Sequence, residues 1–180
     1  MKHNLTSLLG VLLLATTATL GANTGKEFRS VDGRFSITYP SSWRLFKDGG
    51  EVFEIINFSQ EKMLKGVGLA PHGASIVVTA APPGVNTLRD WITRDSAGAD
   101  SLKGAREIHL SQVPSDGCTQ LLEQQSDQEV GPKAYTHQVA LYCLTKNRAY
   151  RVVLWYWKHD PHEAALRQTV LRIALSLRSW

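Results

Sequence analysis

The residues best equipped for chemistry are gathered at His159-Asp160-Pro161-His162-Glu163. Two imidazoles beside two carboxylates form a donor set that a transition metal accepts, and a zinc ion held there would activate water for a metal-dependent hydrolase. The same residues also read as a helix start. Asp160 supplies the cap, Pro161 takes the first helical position, and Glu163 has capping-box spacing. The cap already engages both carboxylates, and the two histidines stand three apart across it. Other histidines are isolated: His109 and His137 on strand-like stretches, His72 in a loop. There is no Gly-x-Ser-x-Gly elbow, no phosphate-binding P-loop and no His-Glu-x-x-His. Gly66-Val67-Gly68 lacks the following helix a phosphate loop needs. These patterns predict no catalytic residue and no cofactor, and they leave a metal at His159 and His162 undecided.

Cys118 and Cys143 are the two cysteines, without a Cys-x-x-Cys spacing. GCTQLLEQQSDQ runs toward a turn at Glu129-Val130-Gly131-Pro132, and AYTHQVALYC runs back. Pairing Gln128 with Lys133 places Cys118 opposite Cys143, at a Cα spacing of roughly 4.5–5.5 Å that suits a disulfide. Closing that loop contributes roughly 3 kcal/mol on a chain-entropy model. A disulfide belongs to an oxidising compartment, and the start of the chain points the same way. Lys2 precedes an apolar run from Leu5 to Leu14, then the small residues ATTATLGA. The run is shorter than the roughly 20 residues a membrane span needs. Residues 1–22 are expected to be a cleaved secretory signal peptide, with a retained anchor as the alternative, and no Cys follows to carry a lipid. The mature domain, 23–180, would then be periplasmic or extracellular.

A chain of 180 residues, 43% hydrophobic and 20% charged, makes one domain. Its net charge of +4 is spread along the sequence without a basic stripe, so nucleic-acid binding is not expected.

The elements that must position these residues centre on Ala134–Trp157, a hairpin turning at Lys146-Asn147. A two-residue loop sets Val139 opposite Leu154, Ala140 opposite Val153 and Leu141 opposite Val152. One face carries Val139, Leu141, Cys143, Tyr150, Val152 and Leu154. The other carries Ala140, Tyr142, Leu144, Val153, Trp155 and Trp157. Both are apolar, so the hairpin belongs in the middle of a sheet covered on each side. Tyr142, Arg151, Trp155 and Trp157 share a face and would make a binding surface wherever the cover leaves them open.

Upstream, strands are expected around Asp32-Gly33, after Asp48-Gly49-Gly50 and over Ala74–Ala81. The Ser59 to Gly73 segment reads as an exposed, mobile loop. Thr87 starts a helix with Leu88, Trp91 and Ile92 on one face, ending near Gly98. Ile108 and Leu110 alternate in a further strand, and Pro114-Ser115-Asp116-Gly117 turns into the Cys118 strand. The final helix sets Leu166, Val170, Ile173 and Leu177 in one stripe, with Arg167, Gln168, Arg172 and Arg178 outside. The order of strands, helix, four strands and helix predicts an α+β fold, with helices packed on a mostly antiparallel sheet.

Several of these residues resemble PsbP-like domains. Gly33, Phe35, Tyr39, Pro40 and Trp43 follow a Gly-x-Phe-x-x-x-Tyr-Pro-x-x-Trp pattern. A strand like SIVVTAAP, a helix opening TLRDW, the segment AYRVVLWYW, Asp160-Pro161 and a closing Ser176-Leu177 come in the same order. The likeness covers residues 28–178 and implies an α/β/α sandwich. Relatives of this kind include extrinsic photosystem subunits, secreted or lipid-anchored bacterial proteins and other non-catalytic modules; the loop at 59–73 departs from the photosynthetic members. The resemblance implies a non-enzymatic adaptor; with the export signal and the absence of a reaction motif, the expectation is an exported, monomeric accessory module. It would bind another envelope or membrane-associated protein through the sheet face and that loop, meeting the membrane only through its partner. A metal-dependent envelope hydrolase and a lipid or small-molecule carrier are the alternatives. N-terminal sequencing of protein recovered from an exporting host is expected to begin within a few residues of Ala22; recovery from Met1 would mean the segment is kept.

Overall fold

A computed structural model describes residues 25–49, 52–85, 87–95, 106–107 and 117–180. The proposed leader, the end of the first helix near Gly98, His109 with its strand beyond Glu107, and most of the turn before Cys118 lie outside them.

Among the described residues, ten strands and two α-helices follow one another as β1 (Gly25–Ser30), β2 (Phe35–Pro40), β3 (Arg44–Gly49), β4 (Val52–Ile56), β5 (Ala74–Ala80), α1 (Leu88–Asp95), β6 (Arg106–Glu107), β7 (Gln120–Gly131), β8 (Ala134–Leu144), β9 (Ala149–Trp157), α2 (Glu163–Ser176) and β10 (Arg178–Ser179). Seven form one antiparallel sheet in the order β3-β4-β5-β9-β8-β7-β6. The α+β class expected from the sequence is the one observed. The β8–β9 hairpin lies inside the sheet in the expected register, Val139 to Leu154, Ala140 to Val153 and Leu141 to Val152. Val139 and Ala140 point to opposite faces, yet each is only 1% exposed.

Two covers account for this. On the Val139 face, α2 lays Leu166, Val170 and Ile173, with Leu177 just past its end, into a core shared with Ile76, Val78, Leu141 and Leu154. On the Ala140 face, α1 contributes Leu88, Trp91 and Ile92 against Ala140, Tyr142 and Val153. Thr87 caps α1 by accepting the Asp90 amide at 3.0 Å. A two-helix sandwich leaves out one layer: β1, β2 and the short β10 make a separate three-stranded sheet that shares the α2 side. No alternating pattern announces a strand of two residues.

The residues behind the PsbP-like pattern prove to be packing residues of this small sheet. Phe35, Tyr39 and Trp43 are buried in the main core. A Cβ at Gly33 would stand 2.5 Å from the Phe35 ring, so only glycine fits there. The Tyr150 hydroxyl, from β9, donates to the carbonyls of Gly33 (3.2 Å) and Arg34 (2.8 Å). Those bonds tie the β1–β2 turn to the central hairpin.

The cysteines are joined, with Cα atoms 5.3 Å apart, but the pairing used to reach that expectation is corrected. Gln128 faces Thr136 rather than Lys133, and Leu121 rather than Cys118 faces Cys143. The β7–β8 loop has two residues, Pro132-Lys133, in place of the expected four, with Gly131 opposite Ala134 and an irregularity after Glu129, and the pairing register is shifted by three residues. Cys118 reaches its partner from just before β7, where Thr119 donates its amide to the Leu144 carbonyl.

The 59–73 segment is also less loose than its composition suggests. It holds a 3₁₀ turn at Gln60–Lys62 and buries Leu69 and Ala70. Gly66 and Gly68, both in the left-handed region, allow the chain to double back from Leu64 to Leu69. Arg167 does not stand free on the outside of α2, since it pairs with the buried Glu123 at 2.9 Å.

Replacing Tyr150 with Phe keeps the ring and removes both bonds to the turn. It is expected to lower the unfolding free energy by roughly 1–3 kcal/mol in a denaturant titration; an unchanged midpoint would show that the tie carries no weight.

Candidate functional site

The His159–Glu163 cluster is resolved as a turn followed by a helix. Asp160 accepts the His162 amide on Oδ1 at 2.8 Å, and its carbonyl accepts the Glu163 amide. The helix begins at Glu163, so Asp160 and Pro161 sit in the preceding turn rather than at cap and first position. His72 approaches the acid from the 59–73 loop, with Nδ1 3.8 Å from Asp160 Oδ2. Among the described residues no group of three His, Cys, Asp or Glu side chains is placed to hold a metal ion.

His137 lies on β8, and its Nδ1 is 2.6 Å from Asp127 Oδ1. Lys158 donates to the other oxygen of Asp127 at 2.7 Å. The hydrogen bond from Lys158, then that from His137, holds the Asp127 carboxyl below the usual value of 3.8. Tyr156 beneath them is pushed well above the usual phenol range, first by burial and then by the nearby Glu163 carboxylate. That hydroxyl therefore stays protonated and is no base. The group is an ion-paired strand edge rather than an assembled acid–base site.

The aromatic face gives a divided answer. Tyr142 is core, 1% exposed, with the Trp91 ring edge-on at 5.6 Å. Trp155, two residues along β9 from buried Val153, is 40% exposed. The described part of α1 covers the Val153 end of the face, where Leu88, Trp91 and Ile92 pack with Ala140, Tyr142 and Val153. At the other end the 59–73 loop takes over, because Trp157 donates its indole N–H to the Ala70 carbonyl at 2.7 Å. Between these covers runs a row across the sheet, Ser75, Trp155, Gln138 and Ser126, each paired with the next. Ser75 donates to Glu54 on β4 at 2.7 Å, and half-buried Arg151 lies on the same side. An exposed indole among amides, hydroxyls and an arginine has the makeup of an interface anchor. Sequence reasoning named this face but could not say which of its residues are buried and which exposed. It missed the meeting of His72 with Asp160, because a loop and a helix cap so far apart carry no shared pattern.

No protein-family model matches the chain, and no curated protein matches it by sequence. Solved structures do. A Bacteroides thetaiotaomicron protein superposes with a TM-score of 0.56 at 18% identity, over 87% of this chain and 48% of that one. The chain thus spans about half of that protein. The Saccharomyces cerevisiae Ran-binding protein Mog1p gives a TM-score of 0.51 at 11% identity, over 88% of this chain and 96% of that one. At such identities the shared property is the fold, a single Mog1-like α+β layer. The cyanobacterial PsbP of Synechocystis sp. PCC 6803 gives 0.36 at 10% identity, over 93% and 99% of the two chains, which is too distant to place this chain in that family.

The Asp127 pairing sets a pH dependence. A carboxyl with a depressed folded pKa contributes its stabilisation fully above the ordinary Asp value and loses it as the pH falls through the folded value. An NMR titration of Asp127 is expected to give a midpoint below 3.8, moving up toward it in Lys158→Ala; equal midpoints in the two proteins would remove Lys158 as the cause.

Proposed function

We propose that this chain is a non-enzymatic binding module, exported to an oxidising compartment, whose partner is another protein of the cell envelope. The observation that carries the reading is the 40% exposure of Trp155 on an otherwise largely buried sheet face. A solvent-facing indole between two built covers costs the free protein apolar exposure and offers a partner a rigid anchor. The bridge between Cys118 and Cys143 supports the exported location. Mog1p, whose fold this chain shares, is described as a Ran-binding protein, and that supports the use of such a layer to hold a protein. The domain acts as a monomer and meets a membrane only through its partner. Among the described residues no helix is long and apolar enough to cross a membrane.

The partner's surface would carry a pocket for the indole and hydrogen-bonding groups for Gln138 and Ser126. Affinity would concentrate in Trp155, with the polar row setting register. A photo-crosslinking residue at Gln138 is expected to give one recurring protein adduct in cells, weakened at least about tenfold by Trp155→Ala, given the roughly 2 kcal/mol typical of an anchor residue. The same crosslinker at Gln168, outside α2, is expected to give no such adduct. A shared adduct at both positions, or one indifferent to Trp155→Ala, would sink the reading.

A further inference from the structure

A second feature lies where the 59–73 loop meets the turn between β9 and α2. A cavity of about 370 Å³ opens there, with walls formed by Leu64, Pro71, Trp157 and His159, and with His72 and Asp160. Its walls are mainly apolar, but the Asp160 side chain beneath is a carboxylate only 1% exposed. Oδ1 is occupied by the His162 amide. Oδ2 has no hydrogen-bond partner, and the nearest imidazole nitrogen, 3.8 Å away, is beyond hydrogen-bonding range.

This arrangement exceeds what the helix start needs. One oxygen suffices to receive the His162 amide, and a neutral Asn or Ser would serve there as well. Burying a full negative charge with half of its acceptor capacity unused is costly, and the cost is recovered only when a donor, preferably a charged one, reaches it. The cation next door is not that donor, because the Lys158 ammonium is turned to Asp127 at 2.7 Å. A metal ion is a poor fit, since among the described residues no three His, Cys, Asp or Glu side chains are placed to hold one together.

We propose that this cavity binds a protonated amine or guanidinium carried on an apolar stem, with Asp160 as its counter-charge. The stem packs against Leu64, Pro71 and Trp157, while the cationic head donates to Oδ2. His72 is the rim of the site. Its side chain is 78% exposed, so it can turn outward and give the ligand access. The indole of Trp157 is fixed by its bond to Ala70, which gives the stem a preformed wall. The site does not depend on the Trp155 surface. A lysine or arginine side chain of another protein and a free organic amine share this chemistry.

The test uses the intact domain and follows the indole N–H signal of Trp157 by NMR. Phenethylamine is expected to shift that signal in a saturable way, and phenylethanol, its uncharged counterpart, is not. Asp160→Asn keeps an oxygen for the His162 amide and removes the charge; it is expected to weaken the amine at least about tenfold. Trp155→Ala is expected to leave the shift unchanged, so failure here and failure of the sheet-face reading are separable. Acetyl-lysine amide and acetyl-arginine amide separate the two sources. Saturable binding by either assigns the pocket to a protein side chain, and binding by phenethylamine alone assigns it to a small amine. Equal shifts by amine and alcohol, no shift by any cation, or an unchanged response in Asp160→Asn would overturn the proposal. The amine–alcohol comparison needs no variant, so it decides even if Asp160→Asn folds poorly.

Discussion

Everything in this molecule answers to one constraint: the β8–β9 ribbon is apolar on both faces and must be kept from water on each. Val139, Leu141, Val152 and Leu154 on one side and Ala140, Tyr142 and Val153 on the other are buried in two separate cores. At roughly 25 cal/mol per Å² of apolar surface, neither face could be left open without losing a large part of a domain's net stability. The two helices, the small sheet and the loop at 59–73 are four ways of meeting that demand. They meet it unequally, since Trp155 on the Ala140 side stays 40% exposed. That exposed indole is where the candidate binding surface lies.

Much of the fold was legible because its signals are local. A two-residue turn fixes the β8–β9 register, a Thr-x-x-Asp start marks α1, and a stripe from Leu166 to Leu177 marks the buried side of α2. What escaped was set by partners distant in sequence. β10 exists because Arg178 and Ser179 find the free edge of β2. The β7–β8 turn was misjudged because Gly131-Pro132 offers more than one way to reverse a chain, and tertiary pairing selected the tighter one. The disulfide survives that error, since Cys118 precedes its strand and approaches from outside the ladder. The 59–73 loop looked mobile from its glycines, yet those glycines permit the compact turn that buries Leu69 and Ala70.

The candidate site was legible in proportion. Trp155 and Arg151 could be placed on a shared face from alternation alone, but exposure depends on what packs over that face, which alternation does not reveal. The histidine cluster drew attention for its donor atoms, and its structural roles turned out to be distributed. His162 lends an amide, while His137 pairs elsewhere with Asp127. Asp160 is the member whose environment exceeds its local duty. The pattern most suggestive of kinship, Gly33 to Trp43, records how a turn packs beneath Phe35 and Tyr150. Such a pattern can persist wherever this layer is built, whatever the layer holds.

The pairing of Ser36 with Arg178 and of Phe35 with Ser179 has a consequence for assembly. The strand made early in synthesis has no finished edge until a strand made some 140 residues later arrives, a separation read from those partners. Contacts so far apart in sequence carry a large loop-closure cost and form late. The central ribbon and its two helices can condense first as a nucleus, with the β1–β2 turn docked on Tyr150. Completion then waits for residues 178–180, where Thr145 and Ser179 share a hydroxyl contact at 2.7 Å. A nascent chain therefore passes through a stage with an unlatched flap, open to a chaperone that reads exposed strand edges.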